Sequence, residues 1–199
     1  MALLEYESKY WDNGIEFVCG ADEAGRGPLA GPVYAAAVIF EKGTVIEGLD
    51  DSKKLTEKKR EYYFDIIKEK ALAYSIASVD SDTIDKMNIL QATYLAFRTA
   101  IETLKIKPQI ALIDGNRIGE LPCDYELIVK GDAKSQSIAA ASILAKVSRD
   151  RYMMEMDALY PEYNFKKHKA YGTKEHYEAL AKYGASPIHR KSFRLFKEE

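Results

Sequence analysis

The amino-acid sequence predicts an α/β protein in which a mixed β-sheet carries helices on its faces. Apolar runs of strand length alternate with amphipathic helical patterns, and the first two runs, separated by a glycine-rich turn, are too close together for a crossover helix. The 199 residues, with 47% hydrophobic and 30% charged side chains, are typical of one globular domain. No apolar run approaches the ~20 residues that span a bilayer, so we expect no membrane segment.

The predicted elements follow the order β-β-α-β-α-β-β-α-α. The strands are predicted over residues 16–21, 33–40, 73–79, 109–113 and 125–129. The helices are predicted over 56–70, 87–104, 133–159 and 174–182. Thr56 is a suitable N-cap for the first helix, and Pro108 should stop the second. The second helix is indicated by apolar side chains at alternating steps of three and four: Met87, Leu90, Tyr94, Phe97, Ile101 and Leu104.

Composition narrows the function classes. The net charge of −2 argues against a non-specific polyanion binder, yet residues 165–199 hold nine Lys or Arg against four Glu. This basic C-terminal segment is either a phosphate-facing surface or a solvated helical face. Cys19 and Cys123 lie outside any C-x-x-C pattern, which excludes a cysteine zinc site and favours reduced thiols in a cytoplasmic protein. The histidines His168, His176 and His189 show no metal-ligand spacing, and we expect them at the surface or beside a duplex.

Acidic residues follow three of the predicted strands. Asp22 and Glu23 come after the first strand, Asp114 after the fourth and Asp132 after the fifth. Strand ends converge at the edge of a sheet, and four carboxylates there need compensating positive charge. Oxygen ligands suit Mg²⁺ or Mn²⁺, and two such ions about 3.5–4 Å apart activate water and stabilise the leaving oxygen of a phosphodiester. Each acid taken alone is better explained as a helix cap or a surface turn, and it is the occurrence of three strand-end acids together that makes the metal site an equal alternative.

The loop after the first strand is rich in glycine. Gly25 and Gly27 flank Arg26, so backbone groups can approach a ribose or phosphate closely and the guanidinium can add a phosphate contact. Neighbours on a regular strand point to opposite faces, so Asp22 and Glu23 can both serve one site only if the strand is irregular there. Gly25 makes such an irregularity possible. The glycine spacing resembles a dinucleotide-binding turn, but that turn requires a helix to follow, whereas here a strand follows.

Six ordered sequence blocks resemble the type 2 ribonuclease H family, ribonuclease HII. They are GADEAGRGPLAGPV (20–33), DSKKL (51–55), IDGN (113–116), KGDAKS with AAASILAKV (130–135 and 139–147), HKAYGT (168–173) and HRKSF (189–193). The resemblance covers nearly the whole chain. It implies an RNase H-like fold, a mixed β-sheet flanked by helices, as a single catalytic domain over residues 1–199 whose C-terminal part, about 165–199, is a basic helical segment.

The resemblance also implies an activity. Enzymes of this family are endonucleases that hydrolyse the RNA strand of RNA–DNA hybrids and cut on the 5′ side of single ribonucleotides in duplex DNA, leaving a 3′-hydroxyl and a 5′-phosphate. We therefore expect two Mg²⁺ or Mn²⁺ ions per active site in the substrate complex, and a cytoplasmic monomer that serves DNA replication and ribonucleotide excision repair. The sequence carries no readable signal for a sliding-clamp contact.

Transferred position by position, the resemblance assigns roles to individual residues. The catalytic and metal-coordinating quartet is Asp22, Glu23, Asp114 and Asp132. Contact with the 2′-hydroxyl that distinguishes RNA from DNA is assigned to Gly25, Arg26 and Gly27. Stacking on the deoxyribose after the ribonucleotide is assigned to Tyr171, for which core packing is the alternative. Phosphate contacts are expected from Ser52, Lys53 and Arg190, although a solvated surface explains any single lysine equally well.

Related classes differ from this pattern. Ribonuclease HIII would replace Arg26 and carry an extra N-terminal substrate-binding domain, and type 1 ribonuclease H lacks the GADEAGRG and DSKKL blocks. A non-catalytic hybrid-binding module would have lost at least one of the four acids. Lys146 and Asp150, four residues apart on the long helix, form either an ion pair or a part of the catalytic site.

Overall fold

The computed structural model describes residues 3–49 and 52–196, so Asp51 of the DSKKL block and the end of the predicted C-terminal segment, 197–199, lie outside the described chain. The strands are β1 (Val18–Ala24), β2 (Val33–Ile39), β3 (Ala73–Val79), β4 (Ile110–Asp114) and β5 (Asp124–Ile128). The helices are α1 (Glu5–Trp11), α2 (Glu57–Lys70), α3 (Ser81–Met87), α4 (Ile89–Glu102), α5 (Gln136–Leu159), α6 (Phe165–His168) and α7 (Lys174–Tyr183).

The five strands form one mixed sheet in the order β3-β2-β1-β4-β5. β2 runs antiparallel to both β1 and β3, as the short β1–β2 connection predicts. β4 runs parallel to β1, and β5 runs parallel to β4. The predicted α/β fold with a mixed sheet flanked by helices is therefore confirmed. Its parallel half brings the C-terminal ends of β1, β4 and β5 to a common edge.

Helices cover both faces of the sheet. On one face, α2 and α5 bury a cluster that includes Ile67 and Ala140, and on the other face α4 buries Ala96 and Phe97. β1 and the start of α5 pack tightly, since a Cβ built on Gly20 would lie 2.2 Å from the carbonyl carbon of Ser137. This contact presses the start of α5, and the turn that precedes it, against β1.

Two strands begin and end later in the sequence than predicted. β1 covers Val18–Ala24 instead of 16–21, because its pairing with β2 continues as far as Ala24 opposite Tyr34. β4 likewise ends on Asp114, one residue later than predicted. Three of the four candidate acids thus lie inside paired strands, where the backbone holds them more rigidly than a loop would.

The helix predicted over 87–104 corresponds to α4 (Ile89–Glu102), whereas α3 (Ser81–Met87), which precedes it across Asn88, was not predicted. Asn88 has a φ of 70°, a left-handed conformation that asparagine tolerates better than most residues. Its side chain accepts hydrogen bonds from the backbone N–H groups of Leu90 and Gln91 and so caps α4. α4 then ends at Glu102, well before Pro108.

Helix α1, which was not predicted, anchors the start of α5. Its buried Glu7 carboxylate accepts hydrogen bonds from the Ser135 hydroxyl at 2.7 Å and from the Ser137 N–H at 2.8 Å. α5 begins at Gln136 rather than at 133 because Ser135 is its N-cap and residues 131–133 form a separate 3-10 turn. A carboxylate at a helix N-terminus is stabilised by the free N–H groups there.

Neither cysteine forms a disulfide in the part of the chain that the structure describes. Cys19 is buried in β1, and Cys123 is partly exposed just before β5. Burial raises the pKa of both thiols, which keeps them protonated at neutral pH. Within residues 3–49 and 52–196, no helix is both long enough and apolar enough to cross a membrane.

The contact between β1 and α5 gives a stability prediction. Gly20→Ala should lower the free energy of unfolding by about 3 kcal/mol, because the added methyl group meets the α5 backbone, which cannot move aside without separating α5 from the sheet. Gly14→Ala is the control: its φ of +83° is left-handed but its Cβ meets nothing within 4 Å, so it should cost only about 1–2 kcal/mol. Urea unfolding monitored by circular dichroism measures both, and equal losses would show that the β1–α5 contact is not tight.

Candidate active site

Three carboxylates meet at the C-terminal edge of the parallel strands. β1 and β4 are paired with Ala21 opposite Ile113, which places the next residues, Asp22 and Asp114, side by side. Asp132 reaches the same edge from the 3-10 turn between β5 and α5. Ligand oxygens of Asp22, Asp114 and Asp132 lie within 4.8 Å of one another. The strand-end acids predicted from the sequence are therefore brought together by the fold.

Backbone and serine groups orient these carboxylates. Asp114 Oδ1 accepts the Gly131 N–H at 2.7 Å, so the turn that carries Asp132 is bonded directly to Asp114. Asp22 accepts the Glu23 N–H at 2.7 Å and a hydrogen bond from Ser142 of α5. Both Asp22 and Asp132 are only 4% exposed, whereas Asp114 is partly exposed and faces the solvent side of the site.

Glu23 approaches the site from the side. It is absent from the group of three oxygens within 4.8 Å, as expected for a strand neighbour of Asp22 that points to the other face of β1. Arg26 Nη1 donates to its carboxylate at 3.3 Å. Glu23 and Asp114 together line a cleft of about 430 Å³ that also contains Arg26 and Arg117. Glu23 therefore borders the carboxylate cluster from the glycine-loop side.

Electrostatics within the cluster favour a cation. Burial raises the pKa of Asp22 well above its ordinary value, and the charges of Glu23 and Asp114 raise it further. Burial also raises the pKa of Glu23, although the Arg26 guanidinium opposes this shift. The carboxylates repel one another, and a bound cation would relieve that repulsion. Several hard oxygen donors in one place are the donor set that Mg²⁺ and Mn²⁺ prefer. The residues present thus fit a divalent-metal centre.

The DSKKL residues Ser52 and Lys53 reach the site in different ways. The Ser52 side chain is buried, and its hydroxyl lies 2.8 Å from that of Ser142, so it supports the serine that bonds Asp22. The Lys53 side chain is 79% exposed, with Nζ 3.6 Å from Asp132 Oδ2. The charge of Lys53 therefore offsets that of Asp132, while Ser52 has little surface left for a phosphate.

The glycine loop, residues 25–32, is held from beneath by Arg190. This guanidinium donates to the carbonyl oxygens of Gly25, Arg26 and Gly31 at 2.6, 3.0 and 2.9 Å. Arg190 is fully buried, so the predicted phosphate contact from its side chain is wrong: carbonyls of the loop occupy the guanidinium. It acts instead on the loop, whose Arg26 and Gly27 remain exposed.

Tyr171 lines the same cleft as two of the three clustered acids. Its ring is 46% exposed and, together with Asp22, Asp114 and Lys53, borders a cleft of about 220 Å³. A Cβ built on Gly27 would lie 3.6 Å from Tyr171 Cε1, so the glycine loop and this ring are in contact range. The exposure of the ring shows that core packing does not explain Tyr171.

The three histidines do not lie at the surface, contrary to the prediction, because α6, α7 and the C-terminal segment enclose them. Their rings lie in a buried cluster with Tyr163 and Phe165, in which His168 stacks on His176. His176 Nδ1 lies 3.1 Å from the Tyr171 carbonyl, which can only accept, so His176 Nε2 in turn accepts from His189 Nε2 at 3.0 Å. Burial lowers the pKa of His176 and His189 to about 4 each. The neutral pair therefore holds the backbone at Tyr171.

Sequence reasoning missed the buried polar residues that support the site. Ser142 could have been found, because it is a polar residue within the alanine-rich face of α5 that covers β1. Arg149 and Arg190 could not, since a charged residue in a helix or a basic tail normally lies in solvent. Lys146 and Asp150 form an ion pair, one of the two alternatives expected, with Nζ and Oδ1 2.7 Å apart, and Lys146 also lines the cleft that contains Asp22 and Asp114.

Comparisons with known proteins point to one family. A family model described as Ribonuclease HII matches residues 19–196. The Ribonuclease HII of Caldicellulosiruptor bescii is 59% identical over 190 residues, covering 96% of this chain and 92% of that protein. The Ribonuclease HII of Clostridioides difficile is 57% identical over 188 residues, covering 94% of this chain and 74% of that protein. Among solved structures, the ribonuclease H2 from Pyrococcus horikoshii matches with a TM-score of 0.77 at 28% identity, covering 90% of this chain and 94% of that one.

Charge repulsion among the acids predicts a metal-dependent stability. At about a hundred times the dissociation constant, Mg²⁺ or Mn²⁺ should raise the free energy of unfolding of the unaltered chain by about 2.7 kcal/mol. Asp22→Asn should lose most of that gain and should be the more stable protein in chelator, because it removes one of the crowded charges. Asp124→Asn, exposed at the other edge of the same sheet, is the control. Thermal unfolding measures all three, and an undiminished metal effect in Asp22→Asn would argue against this site.

The histidine pair predicts a pH dependence of stability. The unfolded chain protonates each histidine below about pH 6.5, whereas the folded chain does so only near a pKa of about 4. The unfolded state thus gains protons first, and stability falls as the pH falls. Between pH 7 and pH 5 the free energy of unfolding of the unaltered chain should fall by about 1–2 kcal/mol more than that of His176→Asn. Asparagine keeps a donor for the Tyr171 carbonyl but does not titrate. Urea unfolding at both pH values tests this, and parallel losses would contradict it.

Proposed function

The chain belongs to the ribonuclease HII family, endonucleases that act on RNA–DNA hybrids, and from this premise we propose that it also cuts duplex DNA on the 5′ side of single ribonucleotides by two-metal-ion hydrolysis. The observation that carries the proposal is the meeting of Asp22, Asp114 and Asp132 within 4.8 Å at a cleft bordered by the glycine loop and Tyr171. A phosphodiester bound there would have carboxylates on one side and recognition groups on the other.

Asp22, Asp114 and Asp132 would hold the divalent cations, with Glu23 completing the set from the side. When bound, the cations supply positive charge that offsets both the carboxylates and the phosphodiester and promotes ionisation of the attacking water. Asp114 and Asp132 are bonded through the Gly131 N–H, and Ser142 holds Asp22, so the donor oxygens are preorganised. In-line attack on the phosphate 5′ to the ribonucleotide then releases a 3′-hydroxyl and a 5′-phosphate.

Recognition of the ribonucleotide is proposed for the loop Gly25-Arg26-Gly27. The lack of side chains at Gly25 and Gly27 lets backbone groups approach the 2′-hydroxyl, the one group that a deoxyribonucleotide lacks. Arg190 supports this role by binding the carbonyls of Gly25 and Arg26, which aims the loop rigidly at the cleft. The exposed Arg26 adds a guanidinium for an adjacent phosphate.

Recognition of the junction is proposed for Tyr171. The half-exposed Tyr171 lines the same cleft as Asp22 and Asp114, where its ring could stack on the deoxyribose that follows the ribonucleotide. Lys53 is proposed as a phosphate contact, because its exposed ammonium already faces the cluster through Asp132 and can turn toward a bound strand. A ring that requires deoxyribose on one side of the cut would favour single ribonucleotides in DNA over continuous RNA.

Asp22→Asn should lower kcat on an RNA–DNA hybrid by about a thousandfold or more, while the Kd for the same hybrid changes by less than about threefold. The amide keeps an oxygen for the Glu23 N–H and the Ser142 hydroxyl but removes the charge that holds a cation. Single-turnover cleavage and fluorescence anisotropy measure the two quantities. Asp124→Asn, the exposed acid at the other edge of the sheet, should behave like the unaltered chain, and near-normal cleavage by Asp22→Asn would reject the assignment.

Tyr171→Ala should lower kcat/KM about tenfold on a DNA duplex with one ribonucleotide and distinctly less on a long RNA–DNA hybrid, because the lost stacking matters only where deoxyribose follows RNA. Tyr183→Ala is the matched control, since Tyr183 is 50% exposed on α7 and borders neither cleft. Parallel cleavage assays on the two substrates give the ratio directly. Equal losses on both would mean that Tyr171 does not recognise the junction.

A further inference from the structure

Arg149 of α5 is a buried cation whose hydrogen bonds go to backbone carbonyls. Its side chain is 1% exposed, with Nε 3.3 Å from the Pro32 oxygen, Nη2 3.2 Å from the Ala30 oxygen and Nη1 3.1 Å from the Lys169 oxygen. A planar guanidinium can make such divergent contacts at once because its donors point in fixed directions. Its position is therefore set by three points of the backbone.

These three carbonyls belong to two separate parts of the substrate cleft. Ala30 and Pro32 lie at the end of the glycine loop, whereas Lys169 lies two residues before Tyr171. The guanidinium carbon is 5.9 Å from the centroid of the Tyr171 ring, within cation–π range. A Cβ built on Gly25 would lie only 2.2 Å from Arg149 Nε, so this side chain also lies directly against the start of the loop.

The backbone that carries Tyr171 needs such support. Lys169 and Ala170 have φ angles of 48° and 65°, left-handed values that are unfavourable for residues with side chains. A strained turn of this kind persists only where its surroundings determine it. Here the Ala170 carbonyl accepts the Leu29 N–H of the glycine loop at 2.8 Å, and the Lys169 carbonyl accepts Arg149.

We propose that Arg149 is a positioning residue that couples the glycine loop to Tyr171, so that recognition of the 2′-hydroxyl and recognition of the following deoxyribose act as one unit. The inference rests on the functions proposed above for Gly25–Gly27 and Tyr171. A guanidinium held by both segments transmits a displacement of one to the other. The preference for a single ribonucleotide over a continuous hybrid then depends on a side chain that touches no substrate.

The test compares kcat/KM on a DNA duplex containing one ribonucleotide with kcat/KM on a long RNA–DNA hybrid, for Arg149→Lys, Tyr171→Ala and the double variant. Lysine keeps the charge but cannot bind both segments, so Arg149→Lys should lower the ratio of the two values roughly three- to tenfold. In the Tyr171→Ala background the same change should leave the ratio unaltered. Arg151→Lys, two residues along α5 on an exposed side chain paired with Glu61, should match the unaltered chain on both substrates.

Arg149→Gln provides a second route if Arg149→Lys fails to fold, as judged by its urea unfolding. The glutamine side chain is shorter and its amide cannot bind the carbonyls of both segments at once, so the ratio should fall in the presence of Tyr171 and not in its absence. Equal losses on both substrates, or a fall in the ratio that persists without Tyr171, would overturn the coupling. If Tyr171→Ala alone leaves the ratio unchanged, both the proposed junction role and the coupling are wrong. If Tyr171→Ala changes the ratio but Arg149→Lys does not, only the coupling is wrong.

Discussion

The parallel pairing of β1 with β4 forces like charges together, and the surrounding structure responds to that crowding. Asp22 and Asp114 sit side by side because their strands are in register, and Asp132 joins them from the turn before α5. Such repulsion would open a flexible loop, but here two of the three acids lie in paired strands and α5 is pressed against Gly20. The rigid sheet keeps a concentrated negative charge that a divalent cation can neutralise.

A second principle governs the recognition side of the cleft, where buried cations shape exposed backbone. Arg149 and Arg190 place their charges beneath the glycine loop and are bound by its carbonyl oxygens. The neutral pair His176 and His189 holds the carbonyl of Tyr171 from the other side. The groups that would contact substrate are thus few and exposed. The side chains that position them are polar and buried, and they form hydrogen bonds within the protein.

Local patterns predicted the strands, the Thr56 N-cap and the position of the acids at the ends of strands, because apolar spacing of period two or 3.6 and strand-end carboxylates are visible in a single segment. Helix α3 was missed because its seven residues carry only two apolar side chains, Ile84 and Met87, too few to form a periodic pattern. Arg190 and the histidines were misplaced because their burial depends on how the C-terminal segment packs on the glycine loop, a contact between residues about 160 positions apart. Long-range burial of polar groups leaves no local pattern.

The most direct measurement of the central claim is cleavage of an end-labelled DNA duplex that contains one ribonucleotide, with Mg²⁺, with Mn²⁺ and with chelator, beside an all-DNA duplex and a long RNA–DNA hybrid. We expect a metal-dependent cut at the phosphate 5′ to the ribonucleotide, a 3′-hydroxyl and a 5′-phosphate at the break, cleavage of the hybrid and no cleavage of the all-DNA duplex. Cleavage of the hybrid alone would contradict the junction recognition proposed here, and cleavage that persists in chelator would contradict the metal centre.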